Sequence, residues 1–305
     1  MKRNTPSIFA VVSVGASLAT IILKLFAFFL TNSVGLLSDA LESLVNLMAA
    51  VITFFMLRLA QKPPDSDHHY GHSKAEYIAS VAEGIFILVA AGAIIFSAIQ
   101  RIIHPVILET PGIGLLFSVA ATGINAYVGL LLIRKGRKHQ SLALEADGHH
   151  LLTDVWTTIG VLAGLAIVYT TKLYILDPII AIIAGINIIF TGLSIVQRSL
   201  AGFMDTAIDT ISIQTIHKLL DPYKEQGLAF HVLRTRQSGR RKFVSFHLLV
   251  PGSWSVQQAH EMVEEIEKKI RAEVSFVTID IHIEPIEDPR AWNDGGLDRD
   301  ETATH

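Results

Sequence analysis

Six apolar stretches, each long enough to cross a bilayer, fill the first two thirds of this 305-residue chain, near positions 7–31, 34–58, 77–100, 111–133, 142–170 and 174–197. An α-helix of about 20 residues matches a hydrocarbon core about 30 Å thick, so the pattern predicts six transmembrane helices. Hydrophobic residues make up 50% of the chain and charged residues only 17%, which argues against an ordinary soluble enzyme. Beyond Asp205 the sequence turns charged and alternating, as in a soluble domain. The expected division is therefore a membrane domain over 1–204, a cytosolic domain over 205–288 and a disordered polar tail over 289–305 containing Gly295-Gly296. The first apolar stretch is too long for the h-region of a secretory signal and is expected to stay in the protein.

Inside two of these stretches lie polar clusters. Asp39, Glu42 and Asn46 occupy the second, and Asp147, His150 and Asp154 the fifth. Both follow i, i+3, i+7 spacing, which puts each triad on one helix face. Four acids near a bilayer centre would cost about 10 kcal/mol together, comparable with the stability of a whole domain. Something must bind there to offset that cost. The chain has no cysteine, so any metal must be held by His, Asp, Glu or Asn, a donor set suited to a divalent transition ion. A net charge of −3 gives no reason to expect a nucleic-acid partner.

An even number of spans returns the chain to its starting side. Ten Lys and Arg residues (Lys2, Arg3, Arg58, Lys62, Lys74, Arg134, Lys135, Arg137, Lys138 and Arg198) fall on that side, and Arg101 and Lys172 on the other. The positive-inside rule then puts both termini in the cytoplasm. The second and fifth helices run in opposite directions and carry their triads at similar depth, so Glu42, Asn46, His150 and Asp154 can form one four-ligand cage. Lys24 and Glu83 sit near expected span ends and are expected to snorkel. Between the second and third spans, Asp65, Asp67, His68, His69 and His72 line a polar loop. If it is helical, His68 and His72 reach one ion together with Asp65 or Asp67.

In the soluble part, a helix is expected near Thr210 to Leu220 and strands over 227–236 and 241–250, joined at Ser238-Gly239-Arg240. A helix over Ser255 to Arg271 and a strand over Phe276 to Ile283 follow. Strict alternation in the last strand sets Asp280, His282 and Glu284 on one face and Ile279, Ile281 and Ile283 on the other. The order α-β-β-α-β fits a small two-layer α/β domain.

The stretch Ser38-Asp39-Ala40-Leu41-Glu42-Ser43-Leu44-Val45-Asn46, the loop Tyr70-Gly71-His72-Ser73-Lys74-Ala75-Glu76 and the stretch Asp147-Gly148-His149-His150-Leu151-Leu152-Thr153-Asp154 resemble the cation diffusion facilitator family, in particular its bacterial zinc and ferrous-iron efflux branch. The resemblance implies a homodimeric metal/proton antiporter, not an enzyme, with six transmembrane helices and a cytosolic metallochaperone-like α/β domain. It implies a bacterial cytoplasmic membrane location. His150 and Asp154 match the family's transport pair on the fifth span. Glu42 and Asn46 match only in part, because Asn46 stands where Asp is usual and Glu42 where Asp or His is usual; Asp39 can supply the missing charge. The resemblance also carries over a loop site at Asp65, His68 and His72 and a binuclear cytosolic site at His231, His247, His260, His282 and Glu284. It implies a Lys74–Asp205 link between the two parts of the dimer.

Zn²⁺ is the expected substrate, with Fe²⁺, Co²⁺, Ni²⁺, Mn²⁺ or Cd²⁺ as alternatives, and zinc or a related ion is expected as a structural or regulatory ligand of the cytosolic domain. Two other functions fit less well. A membrane-anchored metal sensor would not need intramembrane acids, and a proton-coupled carrier of an organic solute would favour helices broken at the midplane.

Overall fold

The computed structural model describes residues 5–31, 34–104, 114–171 and 175–292. The chain separates into two compact units, Met1–Phe203 and Met204–His305.

Among the described residues, the first unit holds six long helices: α1 (Thr5–Thr31), α2 (Val34–Ala60), α3 (Ala75–Ile103), α4 (Gly114–His139), α5 (Leu142–Thr171) and α6 (Leu176–Phe203). In lipid the backbone must satisfy its own hydrogen bonds, and a helix does so within each segment. Among the described residues, four of these helices contain stretches that are long and apolar enough to cross a membrane: Pro6–Phe26, Ala75–Gln100, Leu116–His139 and Pro178–Phe203. The other two, α2 and α5, are as long, at 27 and 30 residues, and carry the polar triads. The apolar stretch expected over 111–133 continues as helix through the basic run to His139. Charged side chains do not unwind a helix once it leaves the bilayer, and basic residues favour a helix C-terminus.

Small residues set the distances between these helices. Between α3 and α6, a Cβ built on Gly84 would stand 2.6 Å from a Val196 methyl, and one on Gly192 would stand 2.9 Å from Leu88 Cγ. Between α4 and α5, a Cβ on Gly148 would stand 2.8 Å from the Gly129 carbonyl oxygen. Only Gln140, in the left-handed region at φ 53°, and Ser141 connect α4 to α5. A link this short makes the two helices antiparallel neighbours. It also brings the α4 face carrying Asn125 against the α5 face carrying Asp154.

The second unit runs α7 (Thr210–Lys224), β1 (Ala229–Ser238), β2 (Arg241–Val250), α8 (Val256–Glu273), β3 (Val277–Pro285) and a 3₁₀ turn at Pro289–Trp292. This is the expected α-β-β-α-β order. The sheet order is β1-β2-β3, with β1 antiparallel and β3 parallel to β2. Gly239, at φ 55°, takes the first central position of the two-residue hairpin turn, where glycine avoids a steric penalty. Asp209 caps α7 by accepting from the Ser212 amide, and Ser255 and Gln258 form a capping box on α8. Ile216, Leu220, Ile266 and Ile270 of the helices pack on Val244, Phe246, Leu248 and Ile279 of the sheet. Alternation leaves Ser245, His247, Asp280 and His282 on the opposite face.

The folded chain extends past the expected tail start at residue 289. Ala291 is buried, and Trp292 Nε1 donates to the Ile286 carbonyl at 3.0 Å. The Trp292 ring also lies beside His231, with centroids 5.9 Å apart, and residues 293–305 lie outside the described residues.

Candidate functional site

Within the membrane unit, the polar groups of α5 meet three other helices. Asp154 accepts hydrogen bonds from the Asn46 side-chain amide of α2 and, at 3.2 Å, from Asn125 Nδ2 of α4. One and a tenth turns earlier on the same helix, His150 Nδ1 lies 2.6 Å from Glu83 Oε2 of α3. The second Glu83 oxygen accepts from Thr53 Oγ1 of α2 at 2.9 Å. Asn46, Glu83, Asn125, Asp147, His150 and Asp154 are all buried. Among the described residues, Asp147 Oδ2 has no hydrogen-bond partner. Asp39 and Glu42 lie on α2, but their side chains fall outside the described residues.

Sequence reasoning missed Glu83 and Asn125 here. Glu83 is only 1% exposed and does not snorkel, and Lys24 is buried as well. Proximity to a span end was misleading because α3 begins at Ala75 and Glu83 sits two turns inside it, on the face turned to α2 and α5. The only available signal for Asn125 is a lone amide within an apolar run.

The loop before α3 is not helical, contrary to the condition under which its histidines were expected to converge. An Asx-type turn gathers them instead. Asp65 Oδ1 accepts from the His68 amide at 2.8 Å and the Asp67 amide at 3.2 Å, and lies 3.2 Å from His68 Nδ1. Asp65 Oδ2 lies 3.3 Å from His72 Nε2, and the two imidazole rings are 4.4 Å apart. Burial raises the Asp65 carboxyl, but the His68 and Asp67 hydrogen bonds and the nearby His72 together hold it below the usual carboxylate range. Asp65, His68 and His72 each present a ligand atom within one ion's reach.

In the second unit, strand register builds a row of imidazoles. His231 pairs with His247 across β1 and β2, and His247 with His282 across β2 and β3. Glu284 lies at their centre: its Oε2 is 3.2 Å from both His231 Nε2 and His247 Nδ1, and its Oε1 is 3.4 Å from His282 Nε2. His231, His247 and Glu284 are close enough to share an ion. A bulge makes this row possible. From Ser238↔Arg241 to Arg234↔Ser245 the hairpin runs in regular register, and between Arg234 and His231 it slips by one. Two residues of β1, Val232 and Leu233, then oppose Phe246 alone. Without the bulge, His231 would face Leu248 on the core side. The same sheet face holds an open cavity of 310 Å³ lined by Arg234, Ser245, His247, Asp280 and His282, among others.

His260 does not join this row. It is exposed on α8, whose buried residues pack on the other face of the sheet, so alternation separates it from the histidines within one chain. Lys74 Nζ donates to the Phe203 carbonyl at 3.2 Å in the first unit, and Asp205 lies 3.5 Å from Arg236 in the second.

A bundle of six membrane helices with buried carboxylates and an imidazole, followed by an α/β domain bearing a histidine–carboxylate cluster, defines an integral membrane transporter of metal cations. Comparison with known families agrees. Residues 10–204 match the cation efflux transmembrane domain and residues 208–286 the cytoplasmic domain of cation efflux proteins. The chain belongs to the cation efflux, or cation diffusion facilitator, family. It is 45% identical over 284 residues to the uncharacterized transporter sll1263 of Synechocystis, covering 93% of this chain and 92% of that protein. It is also 30% identical over 275 residues to the cation-efflux pump FieF of Shewanella oneidensis, covering 90% and 92%, and 29% identical over 278 residues to that of Salmonella arizonae, covering 90% and 91%.

Proposed function

We propose that the protein exports a divalent transition metal, Zn²⁺ first among Fe²⁺, Co²⁺, Ni²⁺, Mn²⁺ and Cd²⁺, in exchange for protons. The observation that carries the reading is the buried meeting of α5 with α2, where Asn46 contacts Asp154 and His150 lies one turn away. Glu42 completes the ligand set from the turn before Asn46, and Asp39 supports it with charge. Metal ligands must be deprotonated, so an arriving ion displaces protons from His150 and a carboxylate, and returning protons expel it. Rocking of helices around that site exposes it to each side in turn.

The membrane is the cytoplasmic membrane of a bacterium, with both termini inside. Two chains associate through the cytoplasmic domain, a reading supported by the match of residues 208–286. Asp65, His68 and His72 form a loop site on the cytoplasmic side, and His231, His247, His282 and Glu284 hold structural or regulatory ions. His260 joins these ions from outside the histidine row.

The test is flux in proteoliposomes across Zn²⁺, Fe²⁺, Mn²⁺, Co²⁺, Ni²⁺ and Cd²⁺, with an internal pH dye. Metal uptake matched by opposite proton movement, lost in Asp154→Ala while the dimer still assembles, supports the reading. Antiport retained in Asp154→Ala refutes it.

A further inference from the structure

We infer that Glu83 is the positioning residue of the transport site: it holds His150 at Nδ1 and so presents Nε2 to the travelling metal. This rests on the transport site proposed above. Three observations support the assignment. Glu83 is 1% exposed and lies on α3, a helix to which the ligand set Glu42, Asn46, His150 and Asp154 contributes nothing. Both of its oxygens are engaged, Oε2 with His150 Nδ1 at 2.6 Å and Oε1 with Thr53 Oγ1 at 2.9 Å, so the carboxylate is fixed from two sides. Phe86, one turn further along α3, packs on the His150 ring with centroids 6.2 Å apart, so α3 constrains both the edge and the face of the imidazole.

A neutral imidazole keeps one N–H and one lone pair. A carboxylate at Nδ1 retains the N–H there and leaves the lone pair at Nε2. The same contact makes the imidazole a stronger ligand, and loss of such a partner commonly weakens metal affinity about 10- to 100-fold. Burial argues against a purely structural role, because a carboxylate that only tied α3 to α2 would need Thr53 and not His150, and such a tie is rarely built from an acid.

The experiment is a Zn²⁺ titration of the full-length protein in detergent, which resolves the class of sites that His150→Ala removes. Glu83→Ala is expected to weaken that class by about 10-fold or more. Glu83→Gln, which keeps an acceptor but loses the charge, is expected to fall between wild type and alanine. Both should leave the remaining classes unchanged, and neither should alter Zn²⁺ binding further when combined with His150→Ala. In flux assays Glu83→Gln should raise KM with little change in kcat. If Glu83→Ala does not fold, Glu83→Gln decides alone. Wild-type affinity in Glu83→Gln, or a Glu83 effect that persists without His150, overturns the inference and leaves the transport site standing. If His150→Ala removes no class of sites, the transport site falls, and this inference with it.

Discussion

The buried cluster between the membrane helices and the histidine row on the sheet use similar side chains under opposite conditions. In the membrane unit the paired polar groups are buried and meet partners on different helices: Asp154 meets Asn46 and Asn125, and Glu83 meets His150 and Thr53. In the cytoplasmic unit, only Glu284 of the cluster is buried, and water reaches the imidazoles around it. A group lost from the first cluster leaves its neighbours with no substitute partner, at about 1–3 kcal/mol for each orphaned donor or acceptor. Water can replace a group lost from the second. The membrane cluster should therefore fail as a unit, and the sheet cluster by degrees.

The largest effect tests that contrast directly. Asp154→Ala orphans two amides and removes a proposed ligand, so transport should fall to background, read as metal uptake in proteoliposomes. Gly148→Leu should come next, because its side chain would enter the space of the Gly129 carbonyl and force α4 from α5. Such overpacking costs about 1–3 kcal/mol, and thermal unfolding should drop together with transport. On the sheet, Glu284→Ala should weaken cytoplasmic metal binding on the order of 100-fold, with His282→Ala weaker in effect, while flux continues at a reduced rate. Equal, complete loss of flux from either cluster would break the contrast.

The smallest effect concerns a structural carboxylate. Burial raises the Asp209 carboxyl, but the Lys242 ammonium and the Ser212 hydrogen bonds outweigh it and hold the group at about 2, below the ordinary 3.8. A depressed folded value means its stabilisation is present above the ordinary value and is lost as pH falls from 3.8 toward 2. Asp209→Ala should cost about 1 kcal/mol at neutral pH, as for a lost N-cap, and the gap from wild type in thermal unfolding should close in that acid window.

The six helices were legible because length and apolarity are local properties, and the α-β-β-α-β order because period and turn chemistry are too. The i, i+3, i+7 spacing of the triads is likewise local, and it marks a helix face without any knowledge of what that face meets. Partners are a different matter. His150 and Glu83 are 67 positions apart, and nothing in either segment names the other. Helix packing decides it, because only the bundle brings α3 beside α5. His260 shows how little residue type alone reveals, since strand and helix histidines look alike in sequence but lie on opposite sides of the sheet within one chain. In the loop, the Asp65 turn did the work expected of a helix.

The slip between Arg234 and His231 also has an evolutionary side. The bulge is one extra residue on β1, so losing a single codon near Val232 would restore a regular ladder and still leave His231 opposite His247, sparing the hairpin, the turn and the row. The row of imidazoles can thus outlast a change in strand length, because the bulge absorbs the odd residue before it reaches the histidines.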